Sequence, residues 1–379
     1  MTLPATLEFG AEEEALRHEI RSWLAANEPG PMSSDYLERS RQLTEWQRRL
    51  HGAGFLGLSW PSAYGGKDMS IAADAVLAEE LARSGMPEII NRLALFTWAP
   101  PVLIFGTDEQ KKRYLPPMLD ASEIWCQGFS EPAAGSDLAA VRTKAVIDGD
   151  EFVISGQKTW TSRAPLSKWN GMLVRTDPSE KRHRGLTMVI VDMESPGITL
   201  QPLLQVTHEP DFSDVFFDEV RAPISNVLGE IGEGWQVAMK TMSFERGLYV
   251  LERQIRLRRN LDRLAIRVGD GSEPALSMIG RLYGIFEVLE AQVYRSLASQ
   301  AAGTQQPGDT SVDRLLLSEA EQGLYSAAYD LLGPEVAFGE SDWADNLLDS
   351  RGVSIYSGTS QIQRNIIADR LLQLPRGPR

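Results

Sequence analysis

Three short segments of this sequence gather residue types that could do chemistry. The first is residues 125–137, WCQGFSEPAAGSD. Its Ser, Gly and Pro residues expose backbone N–H groups that could receive the edge of a flat cofactor or phosphate oxygens. A loop that merely crosses between domains would carry the same residues. The second is residues 156–162, GQKTWTS. The flat face of Trp160 could cover an isoalloxazine ring, and a hydroxyl two residues on could hydrogen-bond a ring nitrogen. A Trp in the core of a β domain reads identically. The third is residues 355–364, IYSGTSQIQR. Thr359 is predicted to cap the final helix, and a helix start preceded by Gly favours anions. Most helices begin in a similar way, so this segment alone decides nothing.

Other chemistries find little support. The only cysteine is Cys126, so no disulfide can close within the chain, and with no nearby His partner the residue reads as a buried, inert thiol. His18, His51, His183 and His208 show no metal-ligand spacing, and no metal is expected. No G-x-G-x-x-G follows a strand and opens a helix, which argues against a nicotinamide enzyme. The formal net charge of −14 disfavours nucleic acid and anionic membrane as partners. No basic stretch followed by an apolar run opens the sequence, and no run approaches a membrane span. A cytoplasmic protein is expected.

The elements that must position these segments fall into three blocks within 379 residues. Residues 1–121 are helical in pattern: Leu16, Ile20, Trp23 and Leu24 recur at helical spacing, as do Leu43, Trp46 and Leu50, and a third helix is predicted near 71–83. Gly106-Thr107-Asp108 can end one helix and cap the next, which runs through Glu109-Gln110-Lys111. Residues 122–230 alternate short β-branched and aromatic runs with turns, at 145–147, 152–154, 172–174, 186–191, 198–200 and 215–217. That spacing predicts a small antiparallel barrel or sandwich. Residues 231–379 return to helices, predicted as one long segment over 235–268, then 275–301, 311–332 and 359–372. The fold class is α+β.

On these segments the sequence resembles the acyl-CoA dehydrogenase family. WPSAYGG (60–66), GTDEQKKRYLPPM (106–118), SEPAAGSD (130–137), GQKTWTS (156–162), DVFFDEVRAP (214–223), GEIGEGW (229–235) and YSGTSQIQRNIIADR (356–370) follow the family's motifs in the family's order. The resemblance covers essentially the whole chain. It implies an N-terminal helical domain, a central β domain and a C-terminal four-helix bundle, with FAD between the last two and extended across a subunit interface. By motif position, the backbone from Gln127 through Phe129 to Ser130 would face the flavin pyrimidine edge, and Ser136 would sit where cofactor and thioester meet. Trp160 would stack on the ring and Ser162 would reach its reactive nitrogen. Thr359 and Gln361 would contact FAD from the final helix. Ser136, Ser243, Ser357 and Gly358 would face the acyl-CoA. Implied partners are an electron-transferring flavoprotein and further copies in a dimer or homotetramer.

The sequence departs from the family twice. Many members carry the catalytic Glu in Y-E-G-T, whereas this chain has Tyr356-Ser357-Gly358-Thr359, and serine cannot be that base. The candidate replacement is Glu245, with Arg246 beside it, in SFERG (243–247); other members place their base at the matching position. A solvated ion pair on a helix surface would look the same. The second departure concerns R-x-x-F-G and Q-x-x-G-G, the half of the FAD site that a neighbouring subunit supplies. This chain has Arg256-Leu257-Arg258-Arg259 and Leu331-Leu332-Gly333-Pro334. Similar features occur in bacterial members acting on bulky or dicarboxylic acyl groups, some of which work as heteromers of two chains. Two alternatives to a self-sufficient dehydrogenase therefore stay open: a same-fold oxidase using oxygen, and a partial or non-catalytic subunit of a heteromer.

Overall fold

The computed structural model describes residues 7–180, 182–244, 247–306, 308–338 and 341–375. Helices α1 (Ala11–Ala26), α2 (Tyr36–Gly52), α3 (Ile71–Ser84), α4 (Ala99–Phe105) and α5 (Asp108–Leu119) precede the strands. These are β1 (Trp125–Gly128), β2 (Lys144–Asp148), β3 (Glu151–Ser162), β4 (Trp169–Arg175), β5 (Leu186–Asp192), β6 (Ile198–Leu203) and β7 (Phe212–Pro223). Then come α6 (Gly234–Phe244), α7 (Leu248–Val268), α8 (Glu273–Ala301), α9 (Asp309–Leu332), α10 (Pro334–Phe338), α11 (Asp342–Asp349) and α12 (Ser360–Ile366). The described residues form two compact units: 7–28, 69–86 and 247–375 in one, 29–68 and 87–244 in the other.

The first unit is a helical bundle. Leucines at 257, 261 and 264 give α7 an apolar stripe, and it packs against Phe286, Leu289 and Val293 of α8 and Leu317 and Leu324 of α9. α3 lays Ala72, Ala75, Ala78 and Ala82 into the same core, where small side chains let its backbone come close. Its Glu79 and Glu80 are buried and are neutralised from α1, with Arg17 bridging both and Arg21 pairing with Glu80 at 2.8 Å. α7, α8 and α9 pack on one another, α3 lies against α7, and the short α12 packs on α9.

The second unit is built on one curled seven-stranded sheet in the order β1-β4-β2-β3-β7-β6, with β5 also paired to β4. Its antiparallel character is as expected for β2/β3, β3/β7, β4/β5 and β6/β7. Two pairings run parallel: β1/β4 over four residues, and β2/β4 at the single pair Lys144↔Arg175. No tight turn links β1 to β4, so nothing local imposes the antiparallel direction on them. Thr107 caps α5 as expected, accepting from the Gln110 N–H at 3.2 Å while the Gln110 side chain accepts from the Thr107 N–H at 3.0 Å.

One predicted element is divided. The segment 235–268 is two helices: α6 ends at Phe244, and α7 begins at Leu248 with Gly247 as its N-cap. Periodicity alone could not register the break, because both halves keep the same apolar spacing. α6 packs in the second unit, against β5 and α4. Among the described residues, no helix is long and apolar enough to cross a membrane, and no group of three or more His, Cys, Asp or Glu is placed to hold a metal.

Candidate active site

In the second unit the site is built where β1 ends beside β3. Residues 125–128 of the first motif form a strand, not a turn, and Gly128 pairs with Met172 of β4. A Cβ on Gly128 would sit 2.7 Å from the Asn170 side chain, so only glycine lets β1 lie this close. The chain then leaves the sheet through Phe129 and Ser130. The Thr159 N–H donates to the Ser130 carbonyl at 2.9 Å, tying this exit to β3. Gln127 and Ser130 are half-buried, whereas the Phe129 ring is 6 % exposed and meets Trp98 edge-on, so it belongs to the core.

The next residue, Glu131, is the centre of a buried network. Lys158 of β3 is fully buried and donates from Nζ to Glu131 Oε1 at 2.8 Å, to the Leu173 carbonyl at 2.7 Å and to the Phe129 carbonyl at 3.2 Å. Glu131 also accepts from the Arg142 N–H at 2.6 Å and the Thr143 N–H at 2.9 Å. Burial pushes the Lys158 ammonium down to about 8 against the pull of Glu131. Burial also acts to raise the Glu131 carboxyl, but the Lys158 charge and the donated hydrogen bonds outweigh it and hold the group below the usual range. This pair escaped the sequence reading. Its one signal was a lysine inside the second motif, on strand β3.

Two residues beyond Lys158, β3 bulges. Lys158 pairs with Val215 and Thr161 with Ser213, so three steps on β3 oppose two on β7. Trp160 takes up the extra residue at φ 56°, in the left-handed region. Its indole is 58 % exposed and touches Phe212 edge-on, with ring centroids 5.9 Å apart. Such a conformation costs roughly 1–3 kcal/mol outside glycine. Here it turns a large flat side chain out of the sheet. Beside it, the Thr161 and Ser213 hydroxyls are buried with no partner among the described residues. Ser162 is half-buried and Ser136 is exposed, following a tight turn closed by the Glu131–Ala134 bridge. Ser243 of α6 is half-buried and donates to the Lys240 carbonyl at 2.7 Å. Glu245 and Arg246 lie outside the described residues. The Cys126 thiol is buried and pushed up to about 12 by desolvation, as expected of an inert residue.

In the first unit, the third motif forms a turn leading into α12. Ser357 and Gly358 stand consecutively in the left-handed region, at φ 53° and 92°. Thr359 caps α12 as predicted, accepting from the Ile362 N–H at 3.2 Å. The turn and α9 flank a shallow, open polar cleft of about 370 Å³ lined by Ser318, Gln322, Ser354, Thr359, Ser360 and Gln361. The Arg364–Glu319 pair, at 3.2 Å, lies along its lining.

Comparison with known proteins places this geometry. Residues 10–122, 126–220 and 232–372 match, in turn, the N-terminal, middle and C-terminal domains of acyl-CoA dehydrogenase. Acyl-CoA dehydrogenase IpdE1 of Mycobacterium tuberculosis is 39% identical across 96% of this chain and 98% of its own. The structure of the Tcur3481-Tcur3483 steroid ACAD superposes with a TM-score of 0.85 at 26% identity, covering 98% of this chain and 99% of that one. A chain of the ChsE4-ChsE5 complex from Mycobacterium tuberculosis gives 0.83 at 29% identity, covering 98% and 100%. The chain belongs to the acyl-CoA dehydrogenase family, oxidoreductases that act on acyl-CoA thioesters. The family is one of flavoproteins, and in the second unit the residues present suit a flat cofactor: an outward-turned, exposed indole beside a backbone tied by the Thr159–Ser130 hydrogen bond.

Proposed function

We propose that this protein catalyses α,β-dehydrogenation of an acyl-CoA thioester, with Glu245 as the base that removes the α-proton. FAD, when bound, supplies the acceptor for the hydride that leaves the β-carbon. Trp160 and Ser162 cover and orient its ring, Ser130 and the 127–130 backbone hold its edge, and Thr359 and Gln361 contact it from α12. Ser136, Ser243 and Gly358 face the thioester. The α-proton of a thioester is weakly acidic, so donors must meet the carbonyl oxygen as charge develops there. A carboxylate held in a dry pocket makes the matched base. Ser357 cannot supply one, and Glu245 follows directly on α6, whose Ser243 is one of the residues assigned to the substrate.

The observation that carries this reading is the placement of Trp160. A 58 %-exposed indole is held in a strained conformation next to a buried ion pair that fixes its strand. Such an arrangement carries backbone strain for one edge-on contact with Phe212 and suits a flat cofactor. Bulky, steroid-derived acyl groups are the proposed substrates, in line with the relatives described above, and an electron-transferring flavoprotein is the proposed acceptor. Anaerobic bleaching of the yellow protein by a panel of acyl-CoA thioesters, steroid-derived ones included, tests both activity and acyl preference.

A second reading concerns assembly. The basic run on α7 is used within its own unit. Arg256 pairs with Glu252 at 2.6 Å and donates to the Met86 carbonyl, and Arg259 donates to the Ala82 carbonyl. Further along, Arg267 forms a two-pronged pair with Glu335, both contacts at 2.6 Å, just past Gly333-Pro334. With these arginines engaged within their own unit and the two cofactor motifs altered, the second reading is a heteromer, in which a different chain completes the flavin site. Purification alone and with candidate partner chains, reading flavin content per chain, separates the two assemblies.

A further inference from the structure

We infer that Arg314 and Gln363 are positioning residues that grip the turn carrying Ser357 and so set the geometry of Thr359. The inference rests on the flavin reading of Thr359 given above. Arg314 lies on α9 and is only 2 % exposed. One of its nitrogens, Nη2, donates to the Val353 carbonyl and, at 3.2 Å, to the Tyr356 carbonyl. Its guanidinium also lies 4.6 Å from the centre of the Tyr356 ring. Gln363, on α12 and 1 % exposed, donates from Nε2 to the Ser357 carbonyl at 3.0 Å and the Gly358 carbonyl at 3.1 Å. Two buried side chains thus hold three successive carbonyls, 356 to 358.

The grip matters because the backbone here resists its own shape. Ser357 at φ 53° has a Cβ that crowds the following carbonyl, and only outside contacts keep such a residue left-handed. A relaxed Ser357 would rotate Gly358 and carry Thr359 off its cap. The cost of the device is also visible. Nε and Nη1 of Arg314 find no partner among the described residues, as does Oε1 of Gln363. A buried guanidinium with two open nitrogens is expensive, and an aliphatic side chain would fill the space more cheaply. The carbonyl bonds to the turn account for the arginine.

Arg314→Met, Arg314→Lys and Gln363→Leu test this in the full chain, with FAD affinity read by flavin fluorescence and backbone amide exchange read by mass spectrometry. Arg314→Met and Gln363→Leu should weaken FAD binding roughly tenfold or more, the loss of charge-assisted or paired hydrogen bonds to the turn. Exchange should speed at amides 356–362 while the middle of α8 stays protected. In Arg314→Lys one ammonium can still meet both carbonyls, so affinity should return to within about threefold of wild type. Wild-type exchange in the turn of Arg314→Met would overturn the inference. So would equal loosening of the whole bundle in Met and Lys variants with no rescue. If the wild-type protein takes up no FAD, the flavin reading falls, and the exchange pattern alone decides the grip by the same criteria.

Discussion

The Lys158 ammonium and the Glu131 carboxylate lie 2.8 Å apart with almost no solvent, and they join the chain leaving β1 at Ser130 to the part of β3 that carries Trp160, two residues proposed above to face the flavin. Removing one partner strands the other charge in the interior, at about 3–5 kcal/mol. Glu131→Gln and Lys158→Met should each cost stability of that order, measured by urea unfolding. Combining Lys158→Met with Glu131→Leu should recover part of the loss, since the double variant leaves no charge of the pair buried. FAD affinity should not recover with it, because Ser130 and Trp160 are no longer tied.

Trp160 should show the opposite balance. Its side chain is mostly exposed and its backbone is strained, so Trp160→Gly should leave the melting temperature unchanged or raise it. Flavin fluorescence should rise as the covering ring is lost, and FAD affinity should fall by about tenfold or more. A large drop in melting temperature would mean that the indole serves the fold.

Asp313 gives a pH signature in the helical unit. Its carboxyl is buried on α9, where it accepts from Gln292 at 2.7 Å and Ser296 at 2.9 Å. Burial, reinforced by Asp309, pushes it up to about 7 against those hydrogen bonds. The folded chain therefore keeps a proton that the unfolded chain gives up near 4. Its contribution to stability is full at low pH, declines as pH rises from about 4 to about 7, and is gone above that window. Stability of the wild type relative to Asp313→Asn should fall across this window, at no more than about 1.4 kcal/mol per pH unit. A difference that stays flat with pH would show that Asp313 titrates normally.

Much of the fold was legible because local patterns and tertiary packing agree. The stripe at Leu257, Leu261 and Leu264 reads as a helix and packs as one, and the alternation through Phe152 and Ile154 reads as a strand and packs as one. Segments whose role depends on distant partners were not legible. β1 was hidden because four residues carry too little periodicity, and its partner β4 lies some forty residues further on. The break at Gly247 leaves no gap in the apolar spacing on either side. Glu131 and Lys158 are 27 residues apart, and Arg314 meets Tyr356 across 42. No spacing rule reaches that far. Thr359 was legible as a helix cap because Gly358 marks that boundary in the sequence, whereas the bulge at Trp160 lies inside β3, where no local pattern announces it.

Rapid mixing of the FAD-loaded protein with a bleaching acyl-CoA, wild type against Glu245→Gln, addresses the base most directly. Flavin reduction should slow by roughly 10²–10⁴-fold in the variant, the usual worth of a positioned general base, while thioester binding changes little. Reduction at the wild-type rate in Glu245→Gln would contradict the assignment and place the base elsewhere.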